Sequence, residues 1–134
     1  MKITRKSVFE TNSSSAHSVC IVKGTDYVCP PYQEVIEIAG GRYGWGYSTE
    51  SSFEDKLNYV GQMIWCIGNN ETKDLLKEVL IEMTNCKQVI WDNSSLEEGY
   101  VDHQSLDNSF LNKEDLKNLL FLEQSHIVIT NDNC

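Results

Sequence analysis

Residues 51–83 read SSFEDKLNYVGQMIWCIGNNETKDLLKEVLIEM, and their apolar side chains recur at helical spacing in two blocks. Gly68-Asn69-Asn70 separates the blocks, because glycine ends helices and asparagine can begin the next one. Ser51 or Ser52 can cap the first helix, and Asn70 the second. The apolar stripes contain Phe53, Leu57, Val60, Ile64 and Ile67, and then Leu75, Leu76, Val79, Leu80 and Met83. The stretch therefore predicts a pair of helices that share one core.

Short runs rich in β-branched residues lie on both sides of this pair. Strands are predicted at residues 19–22, 35–38, 87–91 and 127–129. Asn112 can cap a third helix, which follows the third of these strands. Strands and helices do not alternate regularly. We therefore expect an α+β fold, a small mixed β-sheet with about three helices packed on one face. Residues 1–134 are expected to form one compact domain, with a polar segment at 1–18 and a tail at 130–134.

The acidic composition restricts the classes of partner. The chain carries 20 Asp and Glu against 11 Lys and Arg, a net charge of −9. This balance argues against direct binding to nucleic acid or to an anionic membrane surface, and it is compatible with a basic protein partner or with a role in solubility alone. Five cysteines without C-x-x-C spacing indicate free thiols in a reducing compartment. Because no signal region or spanning segment is recognisable, we expect a cytoplasmic protein.

The polar stretch ahead of the first strand is the main candidate site. Ser15 and His17 follow a run of hydroxyl and amide side chains that can hold an anion, with a cationic guanidinium nearby. His17 is a candidate general acid or base, and Ser15 a candidate nucleophile or acceptor. The candidate ligand-binding residues of this stretch are Arg5, Glu10, Thr11, Asn12, Ser13 and Ser14. The alternative is a Ser-rich turn that leads into a strand, with His17 on the surface.

Two further stretches are weaker candidates. Residues 40–47 combine glycines with aromatic side chains, and Trp45 can stack on a base or else cap the core. This loop lacks the spacing of the dinucleotide fingerprint and of the P-loop. Asp102 and His103 are adjacent, so in a strand they point to opposite faces, although either can meet His17 in space. We take Asp102 as a candidate ligand contact and His103 as a second candidate base. The histidines and acids fit no recognisable metal site, and the sequence leaves any cofactor unknown.

Residues 8–18, VFETNSSSAHS, resemble the opening of a family of small proteins from bacteriophages and mobile elements. Residues 41–46, 100–105 and 129–133 are similar to other short blocks of that family. The resemblance implies a phage-type accessory protein that acts in the cytoplasm of a bacterial host. Because the matching blocks are polar, it favours a functional site in them, but it does not imply a reaction.

Three functions are therefore open. The first is a polar site for an anionic ligand, such as a nucleotide or another phosphate-bearing compound, which counteracts a host process. The second is a non-enzymatic acidic inhibitor of a host defence or nucleic-acid-handling protein, comparable to an anti-CRISPR protein. The third is a structural or regulatory phage component. Whether the protein is an enzyme is left open, because no complete catalytic motif is present.

Overall fold

The structure, a computed structural model, describes residues 2–10, 15–43, 48–101 and 111–131, and it describes only the backbone at 2–10, 15, 16, 130 and 131. The fold is α+β, as predicted. The strands are β1 (Lys2–Glu10), β2 (Ser15–Lys23), β3 (Val35–Ile38), β4 (Arg42–Tyr43), β5 (Ser48–Glu50), β6 (Gln88–Trp91), β7 (Tyr100–Val101) and β8 (His126–Asn131), and the helices are α1 (Phe53–Ile67), α2 (Asn70–Thr84), α3 (Asn93–Glu98) and α4 (Lys113–Phe121).

The described strands form three separate sheets. An antiparallel sheet has the order β1-β2-β8-β5, and two small parallel sheets pair β3 with β6 and β4 with β7. The N-terminal segment, expected to be merely polar, begins with β1, which pairs with β2 and is irregular between Arg5 and Ser7. β2 is buried on both faces from Val19 to Val22, and this explains its uninterrupted apolar run.

The predicted helix pair is confirmed, and its ends follow from capping chemistry. The Ser52 side chain caps α1 by accepting a hydrogen bond from the Asp55 N–H, and Gly68 ends that helix in the left-handed conformation. Asn69 rather than Asn70 caps α2, since its side-chain oxygen accepts from the Glu71 N–H. Asn112 caps α4 as expected.

The described part of the chain has one core cluster, to which α1 contributes most. Helix α4 packs on β2 and α2, and α1 contacts α2, α4, β3, β5 and β7. The α1 residues of this cluster are Leu57, Tyr59, Val60, Met63 and Ile64. Among the described residues, no helix combines the length and the apolar character needed to cross a membrane.

Candidate functional site

β2 places His17 inside the protein rather than on its surface. The imidazole is 0% exposed, and its strand neighbours are Phe9 on β1 and Ile129 on β8. Its Nδ1 lies 2.8 Å from the Tyr59 hydroxyl of α1. This hydrogen bond is satisfied in either tautomer, because the hydroxyl can donate to Nδ1 or accept from Nδ1–H. The alternative that His17 is an ordinary surface residue is therefore wrong.

Tyr59 connects this histidine to the glycine-aromatic stretch. The Tyr43 ring of β4 meets the Tyr59 ring edge to face, with 4.9 Å between ring centroids, a favourable arrangement for two aromatic side chains. A Cβ on Gly41 would lie 2.8 Å from the Tyr43 hydroxyl oxygen, so the absence of a side chain there lets the ring fold back. The contacts from His17 to Tyr59 and from Tyr59 to Tyr43 thus connect two stretches that were predicted separately as candidate sites.

Burial, reinforced by nearby charged groups, raises the pKa values of the two phenols, Tyr43 and Tyr59. Burial raises the pKa of Tyr43, and the charges of Glu50 and Asp55 raise it further. Burial raises the pKa of Tyr59 as well, and Tyr43 and Glu50 add to the shift. The pKa of Glu50 is itself raised, first by burial, while its hydrogen bond with Ser48 acts in the opposite direction. At neutral pH both phenols are therefore neutral hydrogen-bonding groups.

Two amide side chains of α1 fix the backbone that leads into β4. The Asn58 side-chain oxygen accepts from the N–H groups of Ala39 and Gly40, at 3.1 and 3.2 Å. The Gln62 amide accepts from the Gly41 N–H at 3.2 Å and donates to the Leu96 carbonyl at 3.0 Å. Because α1 holds this backbone and Tyr59 together, the position of Tyr43 relative to His17 is set by one rigid helix.

The strand ends next to the predicted polar segments lie near one another. His17 and Ser48 both pair with Ile129, on opposite sides of β8, so β5 begins at the level of His17. Tyr43 contacts Tyr59 and pairs with Val101 at the end of β7. The described residues that flank the three predicted segments, 11–14, 44–47 and 102–110, lie at or close to His17, Tyr43, Ser48 and Val101. The topology thus brings the flanks of all three segments to one end of the large sheet.

Several predicted site residues are described only in part. Arg5 and Glu10 lie on β1 and Ser15 begins β2, but their side chains are outside the described set. Their site roles stay predictions. The remaining candidates, Thr11, Asn12, Ser13, Ser14, Trp45, Asp102 and His103, lie outside the described residues. Within the described residues, no group of three histidine, cysteine or acidic side chains is arranged to hold a metal ion.

Sequence reasoning missed Tyr59, Gln62 and Lys56, which are 0%, 0% and 1% exposed. All three lie beside the apolar stripe of α1, where polar side chains are usually solvated. One signal was available: residues 57–67 contain no charged side chain, which indicates a helix buried on most of its sides.

Comparisons with known proteins identify no relative: no family model matches the chain, and no curated protein or solved structure matches it significantly. The resemblance to phage and mobile-element proteins therefore stays a prediction.

Tyr59→Phe is expected to destabilise the protein by about 1–2 kcal/mol, because it removes the hydroxyl that pairs with a buried imidazole. His17→Phe is expected to be destabilising too. In the His17→Phe background, Tyr59→Phe should lower the free energy of unfolding by about 1 kcal/mol less than in the wild type, and this difference is the coupling energy. Urea unfolding of the four proteins measures this coupling. Tyr32→Phe, at an exposed tyrosine, serves as the matched control. Strictly additive effects would show that the His17–Tyr59 bond contributes nothing.

Proposed function

We propose that the protein binds an anionic small molecule, such as a nucleotide or another phosphate-bearing compound, at the end of the large sheet where the Ser-rich segment connects β1 and β2. The observation that supports this most is the buried hydrogen bond between His17 and Tyr59. A buried polar pair is costly to bring out of water, and apolar residues could fill the same space. Its use here fits a need to fix the position of the Ser-rich segment relative to the aromatic one.

Most of the candidate residues have a defined part in this proposal. The hydroxyl and amide groups of 11–14 donate hydrogen bonds to phosphate oxygens, and Arg5 supplies the positive charge. Trp45 stacks on a base, and Asp102 and His103 make further polar contacts. His17 holds the strand in place through Tyr59. A proton-transfer role for His17, His103 or Ser15 is a finer prediction that binding does not require.

The biological setting follows from the resemblance alone. In this proposal the protein is a phage-type accessory protein in the bacterial cytoplasm, and ligand capture counteracts a host process. An acidic protein of net charge −9 suits a small ligand held by local donors better than a polyanion, which the overall charge repels.

The test is thermal unfolding in the presence of nucleotides, cyclic nucleotides, NAD and inorganic phosphate. A ligand present at a hundred times its dissociation constant stabilises the folded state by about 2.7 kcal/mol, which raises Tm by roughly 10 °C in a domain of this size. The shift should disappear in Ser13→Ala/Ser14→Ala and persist in Ser94→Ala, a change at an exposed serine of α3. No shift with any compound, or an equal shift in all variants, would overturn the proposal.

A second candidate, the acidic inhibitor, is favoured by one observation. Glu71, Asp74, Glu78 and Glu82 follow one side of α2 at intervals of three or four residues. Lys113 approaches Glu78 and Glu82 at 3.4 and 3.0 Å, and Lys117 also pairs with Glu82, so the C-terminal half of this side is partly neutralised. Inhibition of a purified nuclease that is lost in Glu71→Lys/Asp74→Lys, and weakened by salt, would favour this candidate.

A further inference from the structure

A second candidate site lies near the N-terminus of α1, around Lys56. This lysine is 1% exposed although it carries an amine, and it lines a cavity of about 460 Å³ that is partly open to solvent. The cavity lies between the N-terminal turn of α1, the end of α4 and residues 28–31. Its size falls in the range of small-molecule pockets, roughly 300–1,000 Å³.

Lys56 donates to two backbone acceptors, a set of partners that a neutral amine can satisfy as well as an ammonium group. Its Nζ donates to the Leu122 carbonyl at 3.2 Å and to the Ser125 carbonyl at 3.0 Å. A neutral amine has two N–H donors and one lone pair, so these two acceptors use both donors and leave the lone pair for a third direction. Burial lowers the pKa of Lys56 to about 8, and the charge of Glu123 opposes this shift. A substantial share of the amine is therefore uncharged at mildly alkaline pH.

The cavity wall selects the kind of molecule that can approach this amine. Among the described residues that line it, Glu123 and Cys29 are the other titratable groups, and Ser51 and Ser52 supply hydroxyls. The Glu123 carboxylate disfavours the binding of anions in this cavity. The rest of the wall is apolar and consists of Val28, Pro30, Pro31, Phe53, Leu120 and Phe121. The wall thus fits a neutral molecule with an apolar body.

We propose that Lys56 is a nucleophilic amine that forms an imine with a neutral, apolar aldehyde or ketone bound in this cavity. The amine lone pair attacks the carbonyl carbon and gives a carbinolamine. Loss of water then breaks the C–O bond and forms the C=N bond, and the water carries the carbonyl oxygen and the two amine protons. Glu123, in the same cavity, is placed to carry protons between these groups. Uptake of one further proton, delivered by Glu123 or by solvent, converts the imine into an iminium, whose one N–H is enough for one of the two backbone carbonyls.

The experiment uses benzaldehyde with sodium cyanoborohydride, which reduces an imine to a stable benzylamine, followed by peptide mapping that does not depend on trypsin. At pH 8, we expect Lys56 to be benzylated at least ten-fold faster than Lys87, whose side chain is 73% exposed. An ordinary exposed lysine is protonated at this pH and reacts slowly. The Lys56 rate should rise to half its maximum near pH 8, and the preference should vanish in urea. In Lys56→Arg no label should appear at this position.

A second variant separates the cavity from simple amine reactivity. Ser51 is exposed and lines the cavity, so Ser51→Phe fills its entrance without replacing Lys56. In this variant benzylation of Lys56 should fall at least five-fold, while methylation by formaldehyde, a much smaller aldehyde, should persist. Benzylation of Lys56 no faster than that of Lys87 would overturn the proposal, as would reaction with formaldehyde alone in the wild type. In those cases Lys56 only holds the backbone carbonyls of residues 122 and 125.

Discussion

Raising the pH from 8 to 10 is expected to stabilise the wild-type protein relative to Lys56→Met by about 2 kcal/mol. Burial lowers the pKa of Lys56 from 10.5 to about 8. Between these values the unfolded chain binds the proton and the folded chain does not, so the free energy of unfolding rises with pH. The contribution is complete above about pH 10.5 and is lost as pH falls through about 8. The full pKa shift of Lys56 corresponds to about 3 kcal/mol in the free energy of unfolding.

The tyrosines act in the opposite direction at higher pH. Burial raises the pKa values of Tyr43 and Tyr59 above their ordinary value of 10.0, so above pH 10 the unfolded chain loses protons that the folded chain keeps. Wild-type stability should therefore pass through a maximum near pH 10 and then fall. The stability of Lys56→Met should show the same decrease above pH 10. It should lack the increase between pH 8 and 10 that Lys56 supplies in the wild type.

Urea unfolding under reducing conditions at half-unit steps from pH 7 to 10.5 measures both variants. Lys87→Met is the matched control, because Lys87 is largely exposed and the same chemical change there should leave the wild-type profile intact. If the difference between the wild type and Lys56→Met does not vary with pH, then Lys56 does not titrate differently in the folded and unfolded states.

The regular part of the fold was predictable because it follows local rules. The helix pair of α1 and α2, the cap of α4 at Asn112 and the buried run of β2 all come from spacing and capping residues. α3 was not predicted, since Asp92, which caps it, is equally typical of a turn. β1 was not predicted either, because its identity depends on pairing with β2 rather than on its own polar composition.

The candidate site was predictable only as a set of separate stretches. The sequence nominated His17 and the glycine-aromatic loop, but nothing local indicates that Tyr59 joins them across 42 residues. Burial of a polar side chain is a property of tertiary packing. Asn58, Gln62 and Lys56 likewise acquire their partners only when α1 is enclosed on several sides. A polar residue inside a long uncharged stretch of a helix, such as residues 57–67, is thus a useful signal for a partner that is distant in sequence.

Gln62→Met is expected to cost about 2–5 kcal/mol, a large share of the total stability of a small domain. The Gln62 side chain is 0% exposed and joins the Gly41 N–H to the Leu96 carbonyl. Methionine has a similar shape but makes neither hydrogen bond, so two partly or fully buried backbone groups lose their partner, at about 1–3 kcal/mol each. A Cβ on Gly40 or Gly99 would collide with the Gln62 amide, which shows how closely the backbone surrounds it.

Gln88→Met is the matched control for this change, because Gln88 is exposed on β6 and the same replacement there should cost less than about 0.5 kcal/mol. Hydrogen exchange supplies a local measurement that a general loss of packing would not reproduce. In Gln62→Met the Gly41 amide hydrogen should exchange through local opening, at a rate higher than global unfolding alone would give. The Tyr100 amide donates to the Gly41 carbonyl at 2.9 Å, and its exchange rate should change less. Equal losses of stability in the two methionine variants would mean that Gln62 does not fix the backbone before β4. Tyr43 would then owe its position to its contact with Tyr59, to the pairing of β4 with β7 and to the Asn58 hydrogen bonds.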